Sequence, residues 1–286
     1  KLERVRIVAN LRHAEYDALN AAFENGERIG LALEEELLTL WQLALALEKR
    51  RGRPSVNAAN LDYVFQVEDG RVAIEARKRG APLDKVVSEL MILANTTWGE
   101  QLAEKDLAGI YRVQSSGKVR LSVHPETHEG LGVASYAWMT SPLRRYVDLV
   151  NQWQLVAGLR GQRPPFSRNS EALLTALRAF EVTTARYDEH QRAMEHYWCL
   201  RWLEQERIAE IEATVLRDNL VRFDRLPLAV RVPSLPELEP GTRVRLALER
   251  PDLIERTVAC TWRATLDRAA SDVAAAPAAE GGEAAL

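Results

Sequence analysis

Apolar side chains spaced three and four apart over residues 14–24 and 27–50 predict two helices near the start of the chain. In the second, Leu33, Leu37, Leu40, Trp41, Ala44 and Leu47 share a face, and the run stops at "KRRGRP", where cations suit a helix C-terminus. The period then changes. "LDYVFQV" and "RVAIEA" alternate around Glu68-Asp69-Gly70, the pattern of a β-hairpin. Pro82 opens a third helix running to about residue 104, interrupted in character only by Glu89 and Asn95. "SGKVRLSVHPETHEGLG" reads as a short irregular stretch. In "YAWMTSPLRRYVDLV", Ser141 has the place of an N-cap and Pro142 of a first-turn residue. Leu143, Tyr146, Val150, Trp153 and Ala157 then make one apolar stripe, so the spacing predicts a helix from Ser141 onward. A long helix follows from about 170 to 206.

From residue 207 the texture is that of strands. "RIAEIEATVLR", "NLVRFD", "PLAVRVP", "TRVRLALER" and "IERTVACTW" are short alternating segments separated by Asp-Asn, Pro-rich and Gly turns. Five such strands suggest a small closed barrel, with the OB-fold as leading candidate. The expected fold is therefore α+β: a mainly helical part over 1–206, a five-stranded β-barrel over 207–266, and a low-complexity tail over 267–286 expected to be disordered.

Composition narrows this only slightly. At 47% hydrophobic and 28% charged the chain has the make-up of a soluble globular protein, and it has no apolar run long enough to span a bilayer. It begins without Met or a signal-peptide pattern, so a preceding segment is expected. Cys199 and Cys260 lie far apart with no C-x-x-C spacing, which suggests buried thiols in a reducing, cytoplasmic setting. The net charge of −3 misleads, because Asp267, Asp272, Glu280 and Glu283 against Arg268 account for all of it. Only six of the 38 basic residues are Lys. Arg suits bidentate phosphate binding, but a codon bias explains the excess at least as well.

Two places could carry chemistry. Arg144 and Arg145 fall in the first turn of the helix expected from Ser141, where the dipole is positive and cations are unfavourable. A bound phosphate would remove that conflict, since a helix N-terminus is already an anion site. Alternatively Asp148 pairs with one arginine and leaves the other for a ligand. In the third helix, Glu89 and Asn95 are six residues apart and so lie on different faces. Asn95 reads as a satisfied core amide. Glu89 could meet an Arg or a ligand hydroxyl. His124 and His128, split by Pro125, are weak metal candidates, and no Gly-rich phosphate loop, nucleophile elbow or tight Asp cluster is present.

"YAWMTSPLRRYVDLV" resembles the signature Y-x-x-x-T-S-P-I-R-[RK]-Y-x-D of the RNB catalytic domain of the ribonuclease II and ribonuclease R exoribonucleases. Other stretches agree in order. "HAEYDAL" places Tyr16 on the family's Tyr-containing helix start, and "SELMILAN" places Glu89 and Asn95 on E-E-x-M-x-x-A-N. "GIYRVQ" and "GLGVASYA" resemble LYRVH and GLGLxxYx, and the expected barrel has the place of the family's S1-type OB-fold. Departures are the absence of the Asp-rich metal segment, which in the family lies upstream, "RGRPSVN" with Asn57 in place of an RGALDF-like stretch, and Gln152-Trp153 in place of His-Arg.

The resemblance implies hydrolysis of single-stranded RNA from its 3′ end to nucleoside 5′-monophosphates with Mg²⁺. The ions would be held by the missing N-terminal half of the catalytic domain or by a partner chain. It implies that Arg144 contacts the scissile phosphate, and that Arg145, Ser141 and the nearby N–H groups hold neighbouring phosphates. Glu89 would seat the terminal nucleotide, with Tyr16 and Asn95 in the RNA path and Phe223 as a base-stacking candidate on the barrel. A non-catalytic RNA-binding relative of the family is the alternative.

Overall fold

The computed structural model describes residues 6–7, 17–30, 32–53, 61–78, 80–168 and 170–266, and these divide into two compact units. One comprises Lys1–Asn57 and Gly80–Thr184, the other Ala58–Arg79 and Ala185–Leu286. The boundary expected at 206 falls inside the second unit. Tyr16, Asn57 and the tail 267–286 lie outside the described residues.

In the first unit, α1 (Asp17–Asn25) and α2 (Glu34–Arg51) pack on α3 (Pro82–Glu104) through Leu19, Phe23, Leu37 and Leu83. The ends of α2 explain its limits. Glu34, Glu35 and Glu36 fill its first turn and Lys49, Arg50 and Arg51 its last, each matched to the dipole. Glu34 also accepts the N–H groups of Ile29 (2.9 Å) and Gly30 (2.7 Å), and Gly52 closes the helix at φ 68°.

The stretch read as irregular opens with the turn and second strand of a hairpin: β3 (Tyr111–Ser115), just before it, pairs antiparallel with β4 (Lys118–Ser122). Its turn is Ser116-Gly117, both at positive φ. After it comes α4 (Tyr146–Leu159), which starts five residues later than the helix expected from Ser141.

 The described helix covers Tyr146–Leu159 and buries Val147, Val150, Leu155 and Ala157. Ala108, Ile110, Val147, Val150 and Leu173 make one core cluster, and Leu102, Tyr111, Val113, Ala137, Met139 and Leu155 another. The apolar stripe expected along α4 is split, because Tyr146 and Trp153 face outward in an edge-to-face pair with ring centroids 6.3 Å apart.

The last helix, α5 (Glu171–Gln205), begins in the first unit and ends in the second. In the second unit, β1 (Leu61–Glu68) and β2 (Arg71–Lys78) form the hairpin expected from the alternation, with Asp69 (φ 49°) and Gly70 (φ 76°) at its turn. Five further strands follow: β5 (Glu210–Arg217), β6 (Leu220–Phe223), β7 (Ala229–Arg231), β8 (Arg243–Leu248) and β9 (Cys260–Thr265). They form one antiparallel sheet in the order β7-β6-β5-β8-β9. Both edge strands contribute to the core of this unit, Val230 from β7 and Cys260 and Trp262 from β9. Near those edges the Trp262 N–H donates to Ser234 Oγ (2.9 Å).

The hairpin belongs to this unit through Phe65 and Ile74, which pack on the same core, and through Gln205, which exchanges hydrogen bonds with the Val72 backbone at 2.9 and 3.0 Å. Cys199 and Cys260 are free and buried, and burial pushes their thiols up to about 12 and about 11. Among the described residues no helix is long and apolar enough to cross a membrane.

Candidate functional site

The arginine pair precedes α4 rather than lying in its first turn. Residues 142–144 form a tight turn in which the Arg144 and Arg145 N–H groups donate to the Ser141 carbonyl at 3.3 and 3.0 Å. Arg145 is the N-cap of α4, with extended backbone at φ −124°. This corrects the helix expected from Ser141, and the physical reason is Asp148. Its buried carboxylate occupies the first turn, where the dipole favours an anion. Asp148 Oδ1 accepts both the Ser141 N–H (2.8 Å) and Arg145 Nη2 (2.8 Å), which ties the turn back onto the helix.

The two guanidinium groups therefore differ. Arg145 is engaged with Asp148, reaches Thr140 Oγ1 at 3.4 Å, and has its Cζ 4.3 Å from the centre of the Trp138 ring. Its side chain is 12% exposed. Arg144 is exposed, and its side chain forms no hydrogen bond or ion pair among the described residues. The structure thus has the arrangement in which Asp148 holds one arginine and the other stays available.

The segment leading into the turn is fixed by two buried amides. Asn95 on α3 accepts the Met139 N–H at Oδ1 (2.9 Å), donates from Nδ2 to the Tyr136 hydroxyl (3.2 Å), and its carbonyl accepts the Ala137 N–H (3.3 Å). Gly99, one turn on, permits this approach, since a Cβ there would sit 3.0 Å from Ser135 Oγ and 3.1 Å from Ala137 N. Asn95 is fully buried with both ends of its amide engaged, so in this structure it organises residues 136–139. Asn151 on α4 does the same from the other side. Its Oδ1 accepts the Ile110 N–H (2.8 Å), and its Nδ2 donates to the carbonyls of Ile110 (2.8 Å) and Trp138 (3.0 Å). Asn151→Ala would leave these groups buried without partners, and the expected loss is about 3 kcal/mol or more. Urea unfolding with an unchanged m-value would measure it; a loss below about 1 kcal/mol would mean that water replaces the amide.

Glu89 finds an arginine. It is almost wholly buried on α3 and pairs with Arg51 Nη2 from the last turn of α2, while Arg51 Nη1 donates to the Leu131 carbonyl (2.5 Å). Gly132 follows at φ 66°, and a Cβ there would meet the Arg51 carbonyl oxygen at 2.9 Å. Arg51, Glu89, Thr96, Glu100 and Gly132 help line a cavity of about 230 Å³ whose remaining wall includes Leu47 and Ile92. Arg51 Nε and Thr96 Oγ1 are buried there without a hydrogen-bond partner.

Other expected residues fare differently. Phe223 is fully buried in the core of the second unit, so its candidacy as a base-stacking surface is corrected: the alternation of β6 turns Val221 and Phe223 inward and Arg222 outward. Tyr16 lies outside the described residues. His128 is buried in the loop after β4, its Nδ1 accepting the Leu131 N–H (3.3 Å) and its ring set edge-on to Tyr136. Among the described residues, no group of three or more His, Cys, Asp or Glu is placed to hold a metal ion. The donor set of these residues therefore does not fit a magnesium centre. Arg51 and Trp138 were missed by sequence reasoning. In the sequence Arg51 reads as part of a basic helix end, and Trp138 gives no signal beyond its nearness to the arginine pair.

The profile of the RNB domain matches residues 6–121 and 114–161. A ribonuclease of Synechocystis sp., itself uncharacterized, is 27% identical over 202 residues, which is 59% of this chain and 30% of that protein. The mitochondrial exoribonuclease II of Saccharomyces cerevisiae is 25% identical over 270 residues, 76% of this chain and 27% of that protein. The chain thus spans less than a third of the length of these two relatives. Among solved structures, an active-site mutant of the Dss1 exoribonuclease from Candida glabrata superposes with a TM-score of 0.73 at 20% identity, covering 86% of this chain and 38% of that one. Mycoplasma genitalium RNase R in complex with ribose-methylated single-stranded RNA gives 0.69 at 15% identity, covering 87% and 53%. At these identities the structural likeness concerns the fold.

Proposed function

Since the chain belongs to the RNB-domain family of ribonucleases, we propose that it forms part of a hydrolytic exoribonuclease that shortens single-stranded RNA from the 3′ end and releases nucleoside 5′-monophosphates. One observation carries this reading: an exposed, unpaired Arg144 on a turn that a buried carboxylate fastens to a helix. A free guanidinium presents its N–H donors to the non-bridging oxygens of a phosphate, and it can follow the charge that builds there as the P–O bond breaks. Arg145 acts from behind. With one face on Trp138 and one edge on Asp148, it fixes the turn more than it meets solvent. Glu89, held by Arg51, borders a cavity in which the ribose hydroxyls of the terminal nucleotide would find a carboxylate acceptor. The five-stranded sheet serves as an OB-type capture surface, with exposed Arg222 and Arg225 taking the place intended for Phe223.

Magnesium in this reading is held outside the described residues, which offer no cluster for it. That same observation favours a second reading, a non-catalytic RNA-binding relative. The complete protein, incubated with Mg²⁺ and an oligoribonucleotide labelled at its 5′ end, should give a ladder shortening from the 3′ end, with mononucleotides as the co-product. Retention of labelled RNA on the protein with no shortening would replace the first reading by the second. Cleavage inside the chain would sink both.

A further inference from the structure

We propose that Trp138 is a positioning residue for Arg144, acting through Arg145; the proposal rests on the reading that Arg144 meets the reacting phosphate. The side chain has two environments. Its body packs beside the core cluster of Ala108, Ile110, Val147, Val150 and Leu173, and its backbone carbonyl is held by Asn151. The ring is thereby a fixed surface. Against it lie two cations, Arg145 with Cζ at 4.3 Å from the ring centre and Arg112 of β3 with Cζ at 4.8 Å.

The bonding of Arg145 shows why that surface matters. A guanidinium can grip a carboxylate through two parallel hydrogen bonds, which fixes its plane. Here a single bond of 2.8 Å joins Arg145 Nη2 to Asp148 Oδ1, and the same oxygen also takes the Ser141 N–H. Asp148 Oδ2 and Arg145 Nε are both buried without a hydrogen-bond partner. The longer bond to Thr140 Oγ1 (3.4 Å) leaves from the same Nη2, so the guanidinium is anchored at one nitrogen and free to rotate about it. The indole face removes that freedom, because a cation above a ring is attracted across its whole face. Arg145 then sets the end of the turn that carries Arg144, the adjacent residue. In the signature that this segment resembles, position 138 is one of the unspecified places between Tyr136 and Thr140.

A side chain that matters through Arg144 should lose its importance once Arg144 is gone, whereas one that only stabilises the fold should matter equally in both backgrounds. The test compares Trp138→Leu, Trp138→Phe and Arg145→Gln, each with Arg144 present and with Arg144→Ala, in the complete protein acting on a short oligoribonucleotide. With Arg144 present, Trp138→Leu and Arg145→Gln should each lower kcat by roughly 10–100-fold with KM changed less than about threefold, the penalty of a misplaced catalytic group. Trp138→Phe, which keeps a ring face, should restore most of the activity. In the Arg144→Ala background, none of the three should slow turnover further. Equal losses in both backgrounds, or full activity of Trp138→Leu while Arg144→Ala is impaired, would overturn the positioning role alone. Full activity of Arg144→Ala would overturn the reading beneath it as well. Should Trp138→Leu fail to fold, as judged by thermal unfolding, Arg145→Gln carries the same comparison with the ring intact.

Discussion

Arg144→Ala in the complete protein is expected to lower kcat by ~10³-fold while leaving the affinity for single-stranded RNA within a few-fold of the parent. The asymmetry follows from where the side chain is. Arg144 is exposed and braces nothing among the described residues, so its removal leaves the turn, Asp148 and Arg145 as they are. What disappears is an interaction that strengthens as negative charge gathers on the phosphate oxygens. A thousandfold loss corresponds to about 4 kcal/mol of transition-state stabilisation. Single-turnover hydrolysis beside equilibrium binding at one fixed salt concentration would separate the two quantities. A fall of less than tenfold would remove Arg144 from the chemistry and leave it as an ordinary phosphate contact.

The second large effect concerns residues 1–286 on their own. This chain should bind single-stranded RNA in a salt-dependent way yet release no mononucleotides at any Mg²⁺ concentration. Hydrolysis of a phosphodiester at neutral pH needs an activated water as well as a stabilised phosphate. The described residues supply a guanidinium for the second task and no carboxylate cluster for metal ions that would perform the first. Adding the remainder of the catalytic domain, joined or as a separate chain, should restore release from a 3′ end. Mononucleotides formed by purified 1–286, shown free of contaminating nuclease, would mean that the catalytic acid and base must be sought within it, with Asp148 and Glu89 the first to substitute.

How much of this was legible beforehand depended on how local each feature is. The β1–β2 hairpin could be read because Asp69-Gly70 has the positive φ angles that a two-residue turn demands, and the flanking strands alternate around it. The β3–β4 hairpin is harder to read because its strands are only five residues each, although Val119, Leu121 and Val123 alternate with Lys118, Arg120 and Ser122. Ser141-Pro142 had the look of a helix start. What moves the start to Tyr146 is a buried aspartate seven residues after Ser141, whose preference for the first turn competes with the local cap. The distinction between the two arginines was visible as one of two options and needed the fold to choose. The Arg51–Glu89 pair joins residues 38 apart on two helices, and no periodicity within either helix identifies the partner. Phe223 was misassigned although the alternation of β6 was available: with Val221 inward, Phe223 is inward too.

The second unit is assembled from two separated stretches of chain, and this has a consequence for synthesis. Val72 of the hairpin completes its backbone hydrogen bonds with Gln205, 133 residues further on. At ~5–20 residues per second, a ribosome needs on the order of ten seconds to make that stretch. Throughout that interval Phe65 and Ile74 have been made while the core they pack on, drawn from Cys199 to Cys260, is incomplete, and Val72 lacks its Gln205 partner. A two-stranded hairpin is marginal in water without such cover. The nascent chain therefore carries an apolar segment that must be kept from pairing with other chains until the C-terminal strands emerge. Slow codons placed between the hairpin and β5 would lengthen that exposure, and a chaperone that binds short apolar segments would find its target at residues 61–78.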